Sequence, residues 1–336
     1  MKKYIKLTTW IITGLVVAGF LFVLKQHSYA MTEQKIEIET SQGNLTGTLI
    51  LPEKYSGNIG LVVFVHGDGP INDTYDDAYK PLWEKFASAG YASLSLNKPG
   101  IGGSSGNWLE QSMEDRAQET ISAINWAKSL PMIDTQSIGL WGASQAGWVI
   151  PKIVREVPDL AFSILVSPAV NWISQGKYNT RAVMKQEGLS EHEIKVNEHY
   201  NSQVLQLLNE RASYEDYLHI AQSEDLIPRE RWGFIAKNYQ SDATEELSYF
   251  NAPVHLVLGG QDINVDIEET ERIYREKIPA SLLSVSYFPD ADHSMLSKKN
   301  AASPLRTFLT AVLFPRQLVD NQYLNDLTQF IKKQPL

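Results

Sequence analysis

Ser137-Ile138-Gly139-Leu140-Trp141-Gly142-Ala143-Ser144-Gln145-Ala146-Gly147 is the stretch on which the reading of this chain turns. It starts as an apolar run of strand type, passes through small residues and opens a segment with helical spacing. Strand, sharp turn and helix together lift one side chain clear of the backbone. A serine hydroxyl is a poor nucleophile near neutral pH, so it has to be presented at such a turn, where an imidazole can take its proton. Strings of this type also arise as ordinary serine-capped helix starts, so the surroundings decide between the two.

Outward from this stretch, residues 60–65, 91–96, 162–166 and 254–258 form short apolar runs that suit strands buried on both faces of a sheet. Between them Met113, Ala117, Ile121, Ile124 and Ala127 recur at spacings of three and four until Pro131 stops the helix. Strand and helix alternate, which predicts an α/β fold: a mostly parallel, doubly wound sheet with ligands at the carboxyl ends of its strands. Residues 35–40 and 45–51 alternate as an opening hairpin joined by Gln42-Gly43-Asn44. From 171 to 250 charged, helix-favouring segments replace strands, so this part is expected to be an inserted helical cap on a core formed by 31–170 and 251–336. The cap aromatics, from Trp172 to Tyr239, either dock it onto the core or line a pocket, and docking is the expectation for most. Pro151, just beyond the serine turn, would cost about 3 kcal/mol inside a helix, so an irregular turn is expected there.

Three further features sit at strand ends. His66-Gly67-Asp68-Gly69-Pro70 follows Val65, and its glycines let backbone N–H groups approach a substrate. Together with the amide after the serine, these would stabilise an oxyanion: the donors expected are the main-chain N–H groups of Asp68 and Gln145. His66 itself reads as structural. Gly259-Gly260-Gln261-Asp262 closes another apolar run, where a carboxylate can orient an imidazole, although Asp is also common in any Gly-rich turn. Asp290-Ala291-Asp292-His293 follows the run 282–288 and offers the histidine.

With Ser144, Asp262 and His293 in the chain order serine, acid, histidine, the sequence resembles a bacterial α/β-hydrolase of the esterase and lipase type over roughly residues 34–335. The resemblance implies a catalytic triad of these three residues. It extends to Asn97-Lys98-Pro99-Gly100-Ile101-Gly102-Gly103, similar to that family's loop after its fourth strand, with Pro99 as a departure. Ala146 departs too, standing where the elbow usually has glycine. The expected function is cleavage of carboxylic esters of small or medium apolar substrates through an acyl-enzyme, without cofactor or metal. The same residues would also serve a serine peptidase or thioesterase, and a noncatalytic binding protein on a hydrolase scaffold is the reading from outside enzymology.

Composition agrees with a globular chain: 43% hydrophobic and 21% charged over 336 residues, with no cysteine to form disulfides, thiolate sites or a Cys nucleophile. The formal charge of −9, and −13 without the four lysines of residues 1–30, argues against a nucleic-acid partner. Lys2, Lys3 and Lys6 precede an uncharged run from Leu7 to Leu24. Eighteen helical residues would span about 27 Å, between a signal-peptide apolar region and a full membrane span. Ser28-Tyr29-Ala30 offers a cleavage site after Ala30. Residues 1–30 are therefore expected to be a signal peptide or an N-terminal membrane anchor, with 7–24 as the tether and an extracytoplasmic location. Ser95-Leu96-Asn97-Lys98 satisfies SxxK on a strand end instead of a helix, and His192 and His199 lack metal-site spacing.

Overall fold

A computed structural model describes residues 2–40, 43–222 and 226–335. In chain order α1 (Lys2–Gln26) is followed by β1 (Met31–Thr40), β2 (Gly43–Pro52), β3 (Ile59–Val65), α2 (Lys80–Ser88), β4 (Tyr91–Leu96), α3 (Met113–Lys128), β5 (Ile133–Ala143), α4 (Ile150–Glu156) and β6 (Phe162–Val166). Then come α5 (Trp172–Gln186), α6 (Glu191–Asn209), α7 (Tyr214–Leu218) and α8 (Arg229–Asn238), and after them β7 (Val254–Gly259), α9 (Ile267–Lys277), β8 (Leu283–Phe288), α10 (Lys298–Ala301), α11 (Pro304–Leu313) and α12 (Asn321–Ile331).

The strands form one sheet in the order β1-β2-β4-β3-β5-β6-β7-β8. β1 and β2 pair antiparallel, as do β2 and β4, and every later pairing is parallel. The opening hairpin is present, although residues 41–42 of its expected turn lie outside the described residues. The parallel strands carry apolar side chains on both faces because both faces are covered. On β3, Leu61 and Val63 point into one layer with Ala117 and Ile124 of α3 and Tyr274 of α9. Val62 and Phe64 point into the other with Trp83 and Phe86 of α2 and Leu327 of α12. Each such fully buried side chain contributes about 1.5–3 kcal/mol relative to exposure. Gly139 lets the layers close: a Cβ there would lie 2.3 Å from the Phe162 ring. α3 starts at a capping box between Ser112 and Asp115, which satisfies two otherwise free amides.

Between β6 and β7 the described chain is helical. Tyr217, Trp232 and Tyr239 form a small apolar cluster of this segment's own, while Phe234 joins the main core and Trp172 stacks on Trp148 at 4.8 Å. Trp172 and Phe234 thus dock the segment onto the core, whereas Tyr217, Trp232 and Tyr239 pack within it. At the other end, α1 touches α11, with the Phe22 and Phe314 rings 5.6 Å apart. Among the described residues no helix is long and apolar enough to cross a membrane.

Candidate active site

Ser144 leaves the carboxyl end of β5 with φ 55°, a left-handed conformation that costs a non-glycine residue about 1–3 kcal/mol unless its surroundings hold it. Here they do. Ser144 O accepts a hydrogen bond from Ala169 N (3.0 Å), tying the turn to the chain beyond β6. A Cβ on Gly147 would lie 2.2 Å from Ala169 O, so only glycine allows that approach. Ala146 is tolerated because Gly142 leaves room for it: a Cβ on Gly142 would lie 2.6 Å from the Ala146 methyl. After the serine the chain runs as a 3₁₀ turn, Ser144–Trp148, and α4 starts afresh at Ile150. Pro151 therefore sits in the first turn of α4, where its missing N–H breaks no bond, and the irregular turn expected before it is present.

His293 and Asp262 are brought together. His293 Nδ1 donates to Asp262 Oδ2 at 2.8 Å, and the Asp262 side chain is fully buried. Its other oxygen, Oδ1, accepts from Asn264 N (2.7 Å) and Val265 N (2.9 Å), so the carboxylate is aimed by the backbone of the turn after β7. Asp292 is occupied elsewhere: its Oδ1 accepts from Ser294 N (3.0 Å) and Leu296 N (2.9 Å), and burial raises its pKa. Asp266 caps α9 through the amides of Glu268 and Glu269.

The loop 66–68 is held by a different cation at each residue. Arg116 donates to His66 O and to Gln145 Oε1. Lys98 donates to Gly67 O at 2.6 Å. Arg231, on α8, grips the Asp68 carboxylate with two bonds of 3.0 and 2.6 Å, and Gln145 Nε2 donates to the same carboxylate at 3.1 Å. Burial, helped by the neighbouring Arg116, holds the Lys98 ammonium well below the usual lysine range, and burial lowers Arg116 to about 10. Burial alone would raise Asp68, but the bonds and charge of Arg231 outweigh it and lower the carboxyl. The Asp68 amide has no acceptor among the described residues, and the Gln145 amide lies in the first turn of its 3₁₀ helix, where no intrahelical acceptor exists. His66 is structural: Nε2 donates to Leu96 O (2.6 Å), Nδ1 accepts from the Tyr79 hydroxyl (3.2 Å), and burial lowers its pKa to about 3.

Ser144, His293, Gly67 and Asp68 line one cavity of about 420 Å³. Its apolar walls are Ile71 of the loop after β3, Leu82 of α2, Trp141 and Val166 of the sheet, and Leu318 and Leu324 of the C-terminal segment. No described residue of 171–250 lines it. The cavity wall is thus built by the core, and the segment 171–250 meets the site through polar contacts: Arg231 on the Asp68 carboxylate, the Tyr178 hydroxyl donating to Asp262 O (3.0 Å), and Asn179 and Gln175 donating to Ile263 O and Asn264 O. Sequence reading missed Lys98, Arg116 and Arg231 because charges on helices and loops ordinarily face water; Lys98, two residues past a strand end, was the one with a positional signal. A second Ser-His-Asp set, Ser284 with His255 Nδ1 (2.8 Å) and His255 Nε2 with Asp326 (2.7 Å), lies at the amino ends of β7 and β8. It has no elbow and pins α12 to the sheet.

With this geometry in hand, the comparisons bear on identity. The family model described as X-Pro dipeptidyl-peptidase (S15 family) matches residues 25–282. An uncharacterized 31.7 kDa protein of Escherichia coli, from the traX-finO intergenic region, is 33% identical over 102 residues, which span 30% of this chain and 34% of that protein's length. Among solved structures, the Pyrococcus furiosus esterase Pf2001 superposes with TM-score 0.57 at 17% identity, covering 90% of this chain and 92% of that one. Est1E from Butyrivibrio proteoclasticus gives 0.53 at 14% identity over 89% and 96%. The acylaminoacyl peptidase of Pyrococcus horikoshii gives 0.57 at 13% identity over 93% and 43%. At such identities these three speak for the fold.

Proposed function

The chain belongs to the X-Pro dipeptidyl-peptidase (S15) family and folds as an α/β-hydrolase, and from that premise we propose that this serine hydrolase cleaves carboxylic esters with a small or medium apolar acyl or alcohol group. One observation favours esters over peptides. A dipeptidyl-peptidase handles substrates with a free ammonium group, and Asp68 is the single acidic side chain among the described residues lining the cavity. Its carboxylate is already taken by the bidentate Arg231. An uncharged, apolar substrate asks nothing of it.

In the proposed mechanism His293 Nε2 takes the Ser144 proton while Asp262 holds the Nδ1–H tautomer. Ser144 Oγ attacks the ester carbonyl, the Asp68 and Gln145 amides hold the oxyanion, and His293 returns the proton to the leaving alcohol. Water, activated by the same imidazole, then releases the acid. A peptidase or thioesterase would use identical steps, and it becomes the better reading if substrates with a free ammonium displace Arg231. The test is labelling with a fluorophosphonate followed by a panel of chromogenic esters, thioesters and aminoacyl amides, with Ser144→Ala as control. Labelling at Ser144 and turnover greatest on uncharged esters are expected. Preference for aminoacyl amides would make it a peptidase, and no labelling of folded protein would remove the catalytic reading.

A further inference from the structure

We propose that α11, with the adjoining end of α1, is a docking face for an anionic phospholipid bilayer. On α11, Leu305, Phe308, Leu309 and Val312 fall on one stripe at the spacing by which a helix usually turns its apolar side inward. Here the stripe points out, the four side chains being 67, 63, 45 and 40% exposed. The other side of the helix is fastened by polar groups. Thr307 Oγ1 donates to Asn300 O (2.8 Å), and Asn300 Nδ2 donates to Gln317 O and Leu318 O (2.9 Å each). The outward aim of the stripe is thus built in.

α1 continues this surface. Phe22 packs on Phe314, the His27 ring bonds Val312 O at 2.8 Å, and Arg316 donates to Gln26 O and Ser28 O while pairing with Glu84. Along α1, Leu15, Val16, Phe20, Leu21 and Leu24 are exposed. Single exposed leucines are ordinary, but an α11 that turns an apolar stripe to solvent, packed beside an α1 whose exposed apolar side chains run all round it, is not.

Charge selects the occupant. The chain carries −9, yet residues 1–32 and 294–319 contain no acidic residue and hold eight Lys and Arg. Of these, Lys25, Lys298, Lys299 and Arg306 are exposed around the stripe. A partner with an apolar interior and an anionic surface fits, which is the chemistry of a bilayer interface. A second copy would set these cations against their equals across a twofold axis. Placement adds a consequence that rests on the ester reading: the excursion carrying α10 and α11 leaves the cavity wall at Leu296 and returns at Leu318, both of which line the cavity. A docked bilayer would lie beside the cavity rim, so the substrates are amphiphilic acyl esters drawn from it.

The experiment is flotation of the full chain with vesicles of phosphatidylcholine alone or with about one third phosphatidylglycerol. Wild type is expected to bind the anionic vesicles more strongly. Leu305→Gln with Phe308→Gln should lower the bound fraction roughly tenfold or more, and Lys298→Glu with Lys299→Glu should abolish the preference for phosphatidylglycerol. Circular dichroism and hydrolysis of a soluble short ester should stay at wild-type values in both variants. Binding unaffected by the α11 changes, equal binding to both compositions, or a wild-type dimer that the variants dissolve without any vesicle binding would each overturn the proposal. If wild type fails on the soluble ester, the catalytic reading falls while the flotation result still decides docking.

Discussion

At the scale of single residues, the choice of acid partner for His293 rests on where each carboxylate spends its lone pairs. Asp262 gives one oxygen to the imidazole and the other to two backbone amides, so it can neither rotate away nor take a second partner. Asp292 spends its Oδ1 on two amides that close the turn 292–296, which aims its carboxylate along that turn. Asp262→Asn is expected to lower ester turnover by about four orders of magnitude through the wrong histidine tautomer, and Asp292→Asn by less than about tenfold. Steady-state kinetics on variants with unchanged circular dichroism check this, and the reverse ranking would move the acid to Asp292. Ser144, Asp262 and His293 were legible in the sequence because each directly follows a strand-type run. The cations around loop 66–68 were not, since Arg231 lies 163 residues from Asp68 and nothing local marks the pairing.

At the scale of elements, α8 and the loop 66–68, the proposed source of an oxyanion donor, are tied together by Arg231. Arg231 also lies over the rings of Trp108 and Phe234, at 5.8 and 4.8 Å, so the grip on Asp68 is oriented by packing as well as charge. Its contribution to stability is modest, because both partners are partly exposed. Its effect on rate is expected to be larger, since displacing a loop that supplies an oxyanion donor costs more in the transition state than in the ground state. Arg231→Met is expected to lower kcat roughly tenfold with KM nearly unchanged, and Arg231→Lys, which keeps the charge but loses the fork, should fall between. Measured kcat and KM decide it: a raised KM with intact kcat would make Arg231 a substrate-binding group. Helix 113–128 and the hairpin could be read from periodicity alone. That the segment 171–250 would meet the site through Arg231 on Asp68 and the Tyr178 hydroxyl on Asp262 O could not, because periodicity reports which face of a helix is apolar and is silent on what that face meets.

At the scale of the whole molecule, stability should depend on pH through a residue outside the proposed chemistry. The unfolded chain protonates His66 as pH falls past about 6.5, whereas the buried site resists to about 3. The contribution of this group is therefore complete above about pH 6.5 and is lost as pH falls toward 3, at up to about 1.4 kcal/mol per pH unit. His66→Gln should flatten that slope, as urea unfolding at pH 7, 6 and 5 would reveal, and an unchanged slope would assign acid sensitivity elsewhere. The alternation of strands and helices made the doubly wound sheet legible. The basic, apolar face formed by α1 and α11 was hidden because its two halves stand at opposite ends of the chain. The strand order carries one more consequence. β7 and β8 are the last strands made and join the sheet at one edge, so during synthesis Ser144 is complete while Asp262 and His293, its proposed acid and base, do not yet exist. At about 5–20 residues per second that interval lasts roughly ten to thirty seconds. A chain stopped between Val166 and His293 would keep at least the first six of the eight strands and lack the imidazole on which the proposed mechanism depends, so its ester turnover is expected to fall by about three orders of magnitude or more.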